Sequence, residues 1–236
     1  MAMTVLQLSY VLPFVICSEI LNDAHIYRSF AANEIVPDIV DEAPDCWLRV
    51  AYKSGREAEG GNRLTPTQTR SIPSLSFNAN NRSLFTLIMT DPDAPSRDDP
   101  RHREFVHWIV GNIQGNDIDR ADTIVDYVGA APPKGTGLHR YVFLLYEHQD
   151  RLNFSTEVRL TNRCRNPRRF FSTRNFARAY GLTNLWAGNF YQALYDDFVA
   201  VLQGQLSECT EFANRAEWTQ ERNRVRRFLK NNTTSE

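Results

Sequence analysis

The sequence lacks several patterns that would assign it to common functional classes. Its 236 residues carry a net charge of −1, so the chain as a whole has no electrostatic tendency to bind nucleic acid. Its four cysteines show neither a Cys-x-x-Cys pair nor a zinc-finger spacing, and in a chain of this length they do not indicate a disulfide framework. The serine-hydrolase pattern Gly-x-Ser-x-Gly and the metalloprotease pattern His-Glu-x-x-His are also absent. We therefore expect no bound metal, no cofactor and no enzyme of these two classes.

The sequence also lacks an apolar run long enough to cross a membrane as a helix. The most apolar part of the N-terminus, residues 5–20, is interrupted by Pro13 and has no lysine or arginine before it. Its cleavage site near Cys17 is indistinct, so it resembles a signal peptide only weakly. We therefore favour a cytoplasmic location, and a secreted one stays open.

Apolar runs of strand length are the clearest structural signal. Residues 84–90, 105–113 and 141–146 predict three buried central strands, because they are rich in β-branched and aromatic side chains. Residues 47–52 alternate apolar and polar side chains, which predicts a half-buried strand. Shorter β segments are predicted at 64–70, 124–128 and 190–193. No internal repeat or linker interrupts the chain, so the pattern predicts one β-rich domain.

Few helices are predicted. Ser172 or Thr173 can cap a short helix that ends at Gly181, and residues 195–206 predict a second helix. Residues 208–236 predict a charged helical extension, since Trp218, Val225 and Leu229 give it an apolar stripe.

Two blocks of distinctive chemistry lie at the ends of the predicted central strands. Residues 90–97 read Thr-Asp-Pro-Asp-Ala-Pro-Ser-Arg, and residues 132–141 read Pro-Pro-Lys-Gly-Thr-Gly-Leu-His-Arg-Tyr. If the three strands are neighbours, Asp91, Asp93, His107 and His139 can meet at one end of a sheet. Carboxylates beside imidazoles fix their tautomer or keep them protonated, and a histidine that donates both N–H groups can receive a phosphate. The proline-rich frame would make such an anion pocket rigid before a ligand arrives.

Both blocks resemble the two signature motifs of the phosphatidylethanolamine-binding protein family, which includes the Raf-kinase inhibitors. The similarity extends from about residue 30 to about residue 207, so residues 1–29 would be an N-terminal extension or a cleaved signal peptide. The resemblance implies a mainly β fold, an antiparallel β-sandwich of Greek-key type with a few peripheral helices. It also implies a shallow pocket for phosphate-bearing groups such as the phosphoethanolamine head. By matching positions, the ligand-binding residues are Asp91, Asp93, Pro95, Phe105, His107, Ala131, Pro132, Pro133, His139 and Tyr141.

Three of these positions depart from the family pattern. Many members have tryptophan where this chain has Phe105 and glycine where it has Ala131, and a tyrosine of some mammalian members aligns with Gln203. The smaller ring and the added methyl group would alter ligand preference more than anion binding itself.

The resemblance implies a binding and regulatory protein rather than an enzyme. It would recognise a phosphatidylethanolamine head group or another phosphate anion, contacted directly by His107 and His139, and modulate a kinase cascade or a serine protease. A secreted ligand carrier is one alternative. A hydrolase is less favoured; it would bind a divalent metal through the carboxylates and histidines or use Ser96 as a nucleophile. The arginines at 163, 165, 168 and 169 are interpreted mainly as a solvated loop, and otherwise as an anion or partner surface.

Overall fold

The fold is built around one large β-sheet. The computed structural model describes residues 25–77 and 83–209 of the chain. The strands are β1 (Cys46–Trp47), β2 (Arg49–Ala51), β3 (Ser74–Ser76), β4 (Leu84–Asp91), β5 (Phe105–Gln114), β6 (Asp122–Val125), β7 (His139–His148) and β8 (Asn184–Ala193). The helices are α1 (25–32), α2 (Thr173–Ala179) and α3 (Phe198–Leu206), with a 3-10 turn at Asn166–Arg168. The prediction of a mainly β protein with few helices is confirmed.

Six strands form the large sheet in the order β1-β8-β7-β4-β5-β6, and β2 pairs with β3 in a small second sheet. Strands β4, β5 and β6 follow one another by antiparallel pairing, and β7 returns to lie beside β4. This order is the Greek key that the resemblance implied. One departure from the antiparallel expectation is the pair β1–β8, which is parallel.

The central strands are buried on both faces, which explains their continuous apolar sequences. In β7, Tyr141 and Phe143 belong to the apolar cluster that includes β2 and β3, whereas Val142 and Leu144 belong to the cluster on the opposite face. This alternation follows from the two-residue period of a strand. The second cluster also contains Phe30 from α1, so residues 25–29, assigned above to the N-terminal extension, include part of a helix that packs on the sheet.

Helix α2 agrees closely with its predicted signals. The Ser172 hydroxyl accepts a hydrogen bond from the Asn175 backbone N–H at 3.2 Å, which is the N-cap interaction. The helix is followed by Gly181 at φ 64°, a conformation that glycine adopts without steric cost. Residues 210–236 lie outside the described residues, so the predicted C-terminal helix stays a prediction. The same applies to residues 1–24.

The predicted strand at 64–70 is wrong. Thr65 accepts a hydrogen bond from the Gln68 N–H at 3.2 Å, and the Gln68 side chain accepts one from the Thr65 N–H at 3.0 Å. This reciprocal pattern is a capping box, which starts a helical turn instead of a strand. The Thr-x-x-Gln spacing was visible in the sequence, but the apolar-run criterion overlooked it.

The expectation of no disulfide is also wrong. Cys164 and Cys209 are joined, which ties the loop before the 3-10 turn to the end of α3 across 45 residues of sequence. Spacing could not reveal this pair, because contact between distant cysteines depends on the tertiary fold. In the described ranges, no helix is long and apolar enough to cross a bilayer.

Candidate functional site

Sheet topology brings the two motif blocks together. Asp91 ends β4, and it pairs with Phe105 at the start of β5. β7 begins at His139 and runs antiparallel to β4, so its first residues lie at the same end of the sheet. Asp91, His107 and His139 all line one small cavity at this end, and each side chain is buried. The two blocks are far apart in sequence and adjacent in the fold.

His139 is held in a fully hydrogen-bonded position. Its Nδ1 atom lies 2.8 Å from Asp91 Oδ2, and its Nε2 atom lies 2.9 Å from the hydroxyl oxygen of Thr136. The Thr136 hydroxyl donates its single proton to the Pro133 carbonyl at 2.8 Å, so its oxygen accepts from His139. Both imidazole nitrogens face groups that can accept a hydrogen bond, an arrangement that favours the protonated ring. Burial alone lowers the pKa of His139, but the charge and hydrogen bond of Asp91 outweigh it and raise the pKa above its usual value.

His107 has the opposite character. Its Nδ1 atom donates to the Val128 carbonyl at 2.8 Å, and the ring is fully buried between Phe105 and Tyr141. Burial lowers the pKa of His107 to about 4, with the nearby Asp91 charge offsetting only part of the effect. At neutral pH the ring is uncharged and Nε2 is an acceptor. The two histidines thus differ: the surroundings of His139 favour its protonated form, whereas His107 offers a hydrogen-bond acceptor.

Asp93 does not line the cavity, although it belongs to the same motif as Asp91. Its carboxylate forms a buried bidentate ion pair with Arg140, at 2.7 Å from Nη2 and 3.0 Å from Nε. Arg140 also donates to the carbonyls of Asn33 and Glu34, which follow α1. Asp93 therefore joins the two motif blocks to the N-terminal part of the fold. Its place is structural, beside the pocket instead of within it.

The remaining predicted site residues divide between lining and support. Pro95, Phe105, Ala131 and Pro133 line the cavity. Tyr141 lies behind it, fully buried, where its hydroxyl accepts from the Ala131 N–H at 3.1 Å and so positions the loop that carries Ala131. Pro132 does not line the cavity. Of the three departures from the family pattern, Phe105, Ala131 and Gln203 are all lining residues, so each can affect ligand choice directly.

A further wall comes from residues outside the predicted ligand-binding set, although Gln203 is one of the departures from the family pattern noted above. This wall, which we call the arginine wall, consists of Arg165 and Arg169 from the loop around the 3-10 turn and Gln203 and Leu206 from α3. The arginine cluster was visible in the sequence, but a solvated loop was judged the better interpretation. His102 also lines the cavity, and it was not among the predicted ligand-binding residues.

Arg168 fixes the loop that carries the arginine wall. Its guanidinium is fully buried and donates five hydrogen bonds to main-chain carbonyls. Two of these carbonyls belong to Val106 and His107 on β5. Burial lowers the pKa of Arg168 to about 9, so it keeps its charge at neutral pH. The loop is therefore attached directly to the strand that carries His107, and a second buried positive charge lies near the cavity.

The cavity is small, and its lining combines arginine and histidine side chains with one carboxylate. Its volume is about 50 Å³, enough for a few water molecules. Within the described part of the chain, no three carboxylate, histidine or cysteine side chains converge so that they could hold a metal ion. The Ser96 hydroxyl, considered above as a nucleophile, accepts from the Asp99 N–H at 3.1 Å and does not line the cavity. What the cavity offers is positive charge and hydrogen-bonding groups.

Comparisons with known proteins agree with the resemblance noted in the sequence. The family model described as phosphatidylethanolamine-binding protein matches residues 54–191. Putative odorant-binding protein A5 from Drosophila melanogaster is 35% identical over 191 residues, which cover 80% of this chain and 90% of that protein.

Two solved structures are also similar. The solution structure of CG7054 shares 42% identity and a TM-score of 0.60, and the match covers 73% of this chain and 97% of that chain. Carboxypeptidase Y inhibitor, solved in complex with its cognate proteinase, shares 26% identity and a TM-score of 0.62 over 74% of this chain and 97% of that chain. Since the family model covers more than half of the sequence and carries both motif blocks, this chain belongs to the phosphatidylethanolamine-binding protein family.

Proposed function

We propose that this chain is a non-catalytic binding protein whose cavity takes the phosphate group of a phospholipid head, such as phosphoethanolamine, or of another phosphate-bearing ligand. The observation that carries the proposal is that Arg165 and Arg169 line the cavity together with His139, whose protonated form is favoured by Asp91. Charge-assisted hydrogen bonds from such groups are the strongest ordinary contacts that a phosphate can receive.

The phosphate group of the ligand should contribute more to affinity than an ammonium group. Asp91 is the one carboxylate among the lining residues, and both its oxygens are already occupied, by His139 and by the Asp93 N–H at 2.7 Å. A ligand ammonium would have to compete with these partners. The cavity is also smaller than a head group, so the long side chains of Arg169 and Gln203 would move aside as the ligand enters.

The binding test is calorimetric titration of the protein with inorganic phosphate and, separately, with O-phosphorylethanolamine. We expect saturable binding of both, weakened about tenfold in His139→Ala, because this change removes the charge of the protonated ring beside the phosphate and also the N–H that the ligand could take over from Thr136. His148→Ala is the matched control, because His148 ends the same strand at which His139 begins and bonds to Thr86 and Asp150 instead. If the wild-type protein binds neither inorganic phosphate nor O-phosphorylethanolamine, the proposed phosphate site is refuted.

The regulatory role is proposed as inhibition of a protease or kinase through protein binding. Similarity to carboxypeptidase Y inhibitor supports a serine-protease partner, and the family resemblance suggests a kinase cascade as the alternative. The direct test is the rate of peptide hydrolysis by a purified serine carboxypeptidase with increasing amounts of this chain. A dose-dependent decrease would support the protease partner, and an unchanged rate at a large molar excess would remove it.

We also propose that the chain functions outside the cytosol. The Cys164–Cys209 disulfide supports this location, because structural disulfides persist in oxidising compartments and are rare in the cytosol. This favours the secreted alternative over the cytoplasmic location that the N-terminal sequence suggested. The test is fractionation of cells that express the full chain with its own N-terminus: recovery from the medium supports secretion, and retention in the cytosol with reduced cysteines contradicts it.

A further inference from the structure

The arginine wall is built differently from the rest of the pocket. The motif blocks form their side of the cavity through strand ends and proline-rich turns, whereas the arginine wall joins a loop to a helix. The Cys164–Cys209 disulfide connects these two parts covalently, next to Arg165 in the loop and three residues beyond Leu206 in the helix. The Arg165 N–H also donates to the Leu206 carbonyl at 3.2 Å. The Cys164–Cys209 disulfide, which lies outside both motif blocks, therefore holds the arginine wall together.

Arg165 is held from both sides along the chain. Before it, Cys164 is fixed by the disulfide, and the Cys164 carbonyl accepts from the buried Arg168 guanidinium at 3.0 Å. After it, the Arg168 N–H donates to the Arg165 carbonyl at 3.2 Å, and the Arg168 guanidinium reaches the His107 carbonyl at 3.1 Å. The backbone of Arg165 is thus fixed relative to His107, which lines the same cavity.

The guanidinium of Arg165 is not neutralised within the described residues. No carboxylate of that part of the chain lies within ion-pair distance of it, although it is half-buried and lines the cavity. Its neighbour Arg163 is exposed, does not line the cavity and pairs with Glu208. Two arginines of one short loop therefore differ: Arg163 takes part in a surface ion pair, and Arg165 presents its charge to the pocket.

We propose that Arg165 contacts the phosphate of the ligand and determines the preference of this pocket for anions, and that the Cys164–Cys209 disulfide positions it. This inference rests on the phosphate site proposed above. The planar guanidinium offers paired N–H donors that match two phosphate oxygens. A contact that is already positioned loses less conformational entropy on binding, so the disulfide increases affinity without touching the ligand. Reducing the disulfide leaves only non-covalent contacts, such as the Arg165 N–H to Leu206 carbonyl bond, between the helix and the loop, and so weakens this positioning.

The first experiment compares Arg165→Gln with Arg163→Gln in the phosphate titration. We expect Arg165→Gln to weaken binding about tenfold or more, and Arg163→Gln to leave the dissociation constant unchanged. Arg165→Lys should be intermediate, because lysine keeps the charge and lacks the paired donors. If the wild type binds phosphate and Arg165→Gln binds it equally well, the inference is wrong and the phosphate site stands. If the wild type does not bind phosphate, the phosphate site itself fails.

The second experiment tests the positioning role of the disulfide. The double variant Cys164→Ser/Cys209→Ser should bind phosphate more weakly than the wild type. Introducing Arg165→Gln into this double variant should cause a smaller loss of affinity than Arg165→Gln causes in the wild type. Such non-additivity indicates that the bond acts through Arg165. Fully additive losses would contradict positioning.

A reciprocal measurement does not require the double variant to fold. If the disulfide and the ligand act through one residue, inorganic phosphate must shift the thiol–disulfide equilibrium of the wild-type chain toward the disulfide. The same phosphate should leave that equilibrium unchanged in Arg165→Gln. An equal shift in both proteins would show that phosphate stabilises the fold without Arg165, and would overturn the inference.

Discussion

The Asp93 carboxylate and the Arg140 guanidinium form a bidentate, buried ion pair beside the pocket, with both side chains contributed by the motif blocks. Asp91, two residues earlier, instead faces the cavity and bonds to His139. The same short motif therefore supplies one residue to the site and one to the stability of its frame. Substitutions at the two positions should separate these roles.

Asp93→Asn should destabilise the protein strongly. It leaves Arg140 buried with a weakened partner, and breaking a buried ion pair typically costs about 3–5 kcal/mol. We expect a lower unfolding midpoint in denaturant, measured by circular dichroism, with phosphate affinity retained in the fraction that folds. Glu57→Gln, which removes the exposed partner of Arg49, serves as the control and should change stability by less than about 1 kcal/mol. A mild effect of Asp93→Asn would contradict the structural role.

Asp91→Asn should change the charge state of His139. Burial lowers the pKa of His139 and the neighbouring carboxylate raises it, so removal of the carboxylate should lower that pKa. Nitrogen-15 chemical shifts of the ring, followed across pH, report the pKa directly in the wild type and in the variant. An unchanged His139 pKa in the variant would mean that Thr136 alone fixes the protonation state.

His107 should make the protein less stable in mild acid. Its pKa is about 4 in the folded chain and about 6.5 when unfolded, so the unfolded state binds the proton more tightly. Burying His107 in its neutral form therefore costs no stability above pH 6.5. As the pH falls toward 4, the free energy of unfolding decreases by up to about 3 kcal/mol. Denaturant titrations across this range should show a steeper decline for the wild type than for His107→Gln. Parallel declines would contradict neutral burial of His107.

Asn153 should carry an N-linked glycan if the chain is secreted. Asn153-Phe154-Ser155 is an acceptor sequence, and both polar residues are exposed while Phe154 anchors the turn in the core. The Asn153 side-chain oxygen accepts from the Ser155 N–H at 3.0 Å, which leaves the amide nitrogen on the solvent side free of any bond to the described residues. Mass spectrometry of secreted protein before and after peptide N-glycosidase should locate the glycan, and Asn153→Gln should lack it. Secreted protein with unmodified Asn153 would contradict this prediction.

The part of the pocket formed by strand ends and proline-rich turns could be predicted, because local sequence patterns identify these elements. The β4, β5 and β7 strands were recognisable from apolar runs; the proline-rich blocks identified Asp91 and His139, and the strand at 105–113 carried His107. The contacts that join the loop of Arg165 and Arg169 to α3 were not predicted, because the loop and the helix are distant in sequence. The role of Asp93 was also not predictable, since neighbouring motif residues give no indication of which one faces the ligand.

The most direct test of the phosphate site is an NMR titration that follows the ring signals of His107 and His139 as inorganic phosphate is added. We predict saturable shifts of both rings, with His148 unaffected because its ring lies at the opposite end of β7. Rings of His107 and His139 that stay unchanged up to millimolar phosphate, in a folded protein, would contradict the proposed anion site and the function built on it.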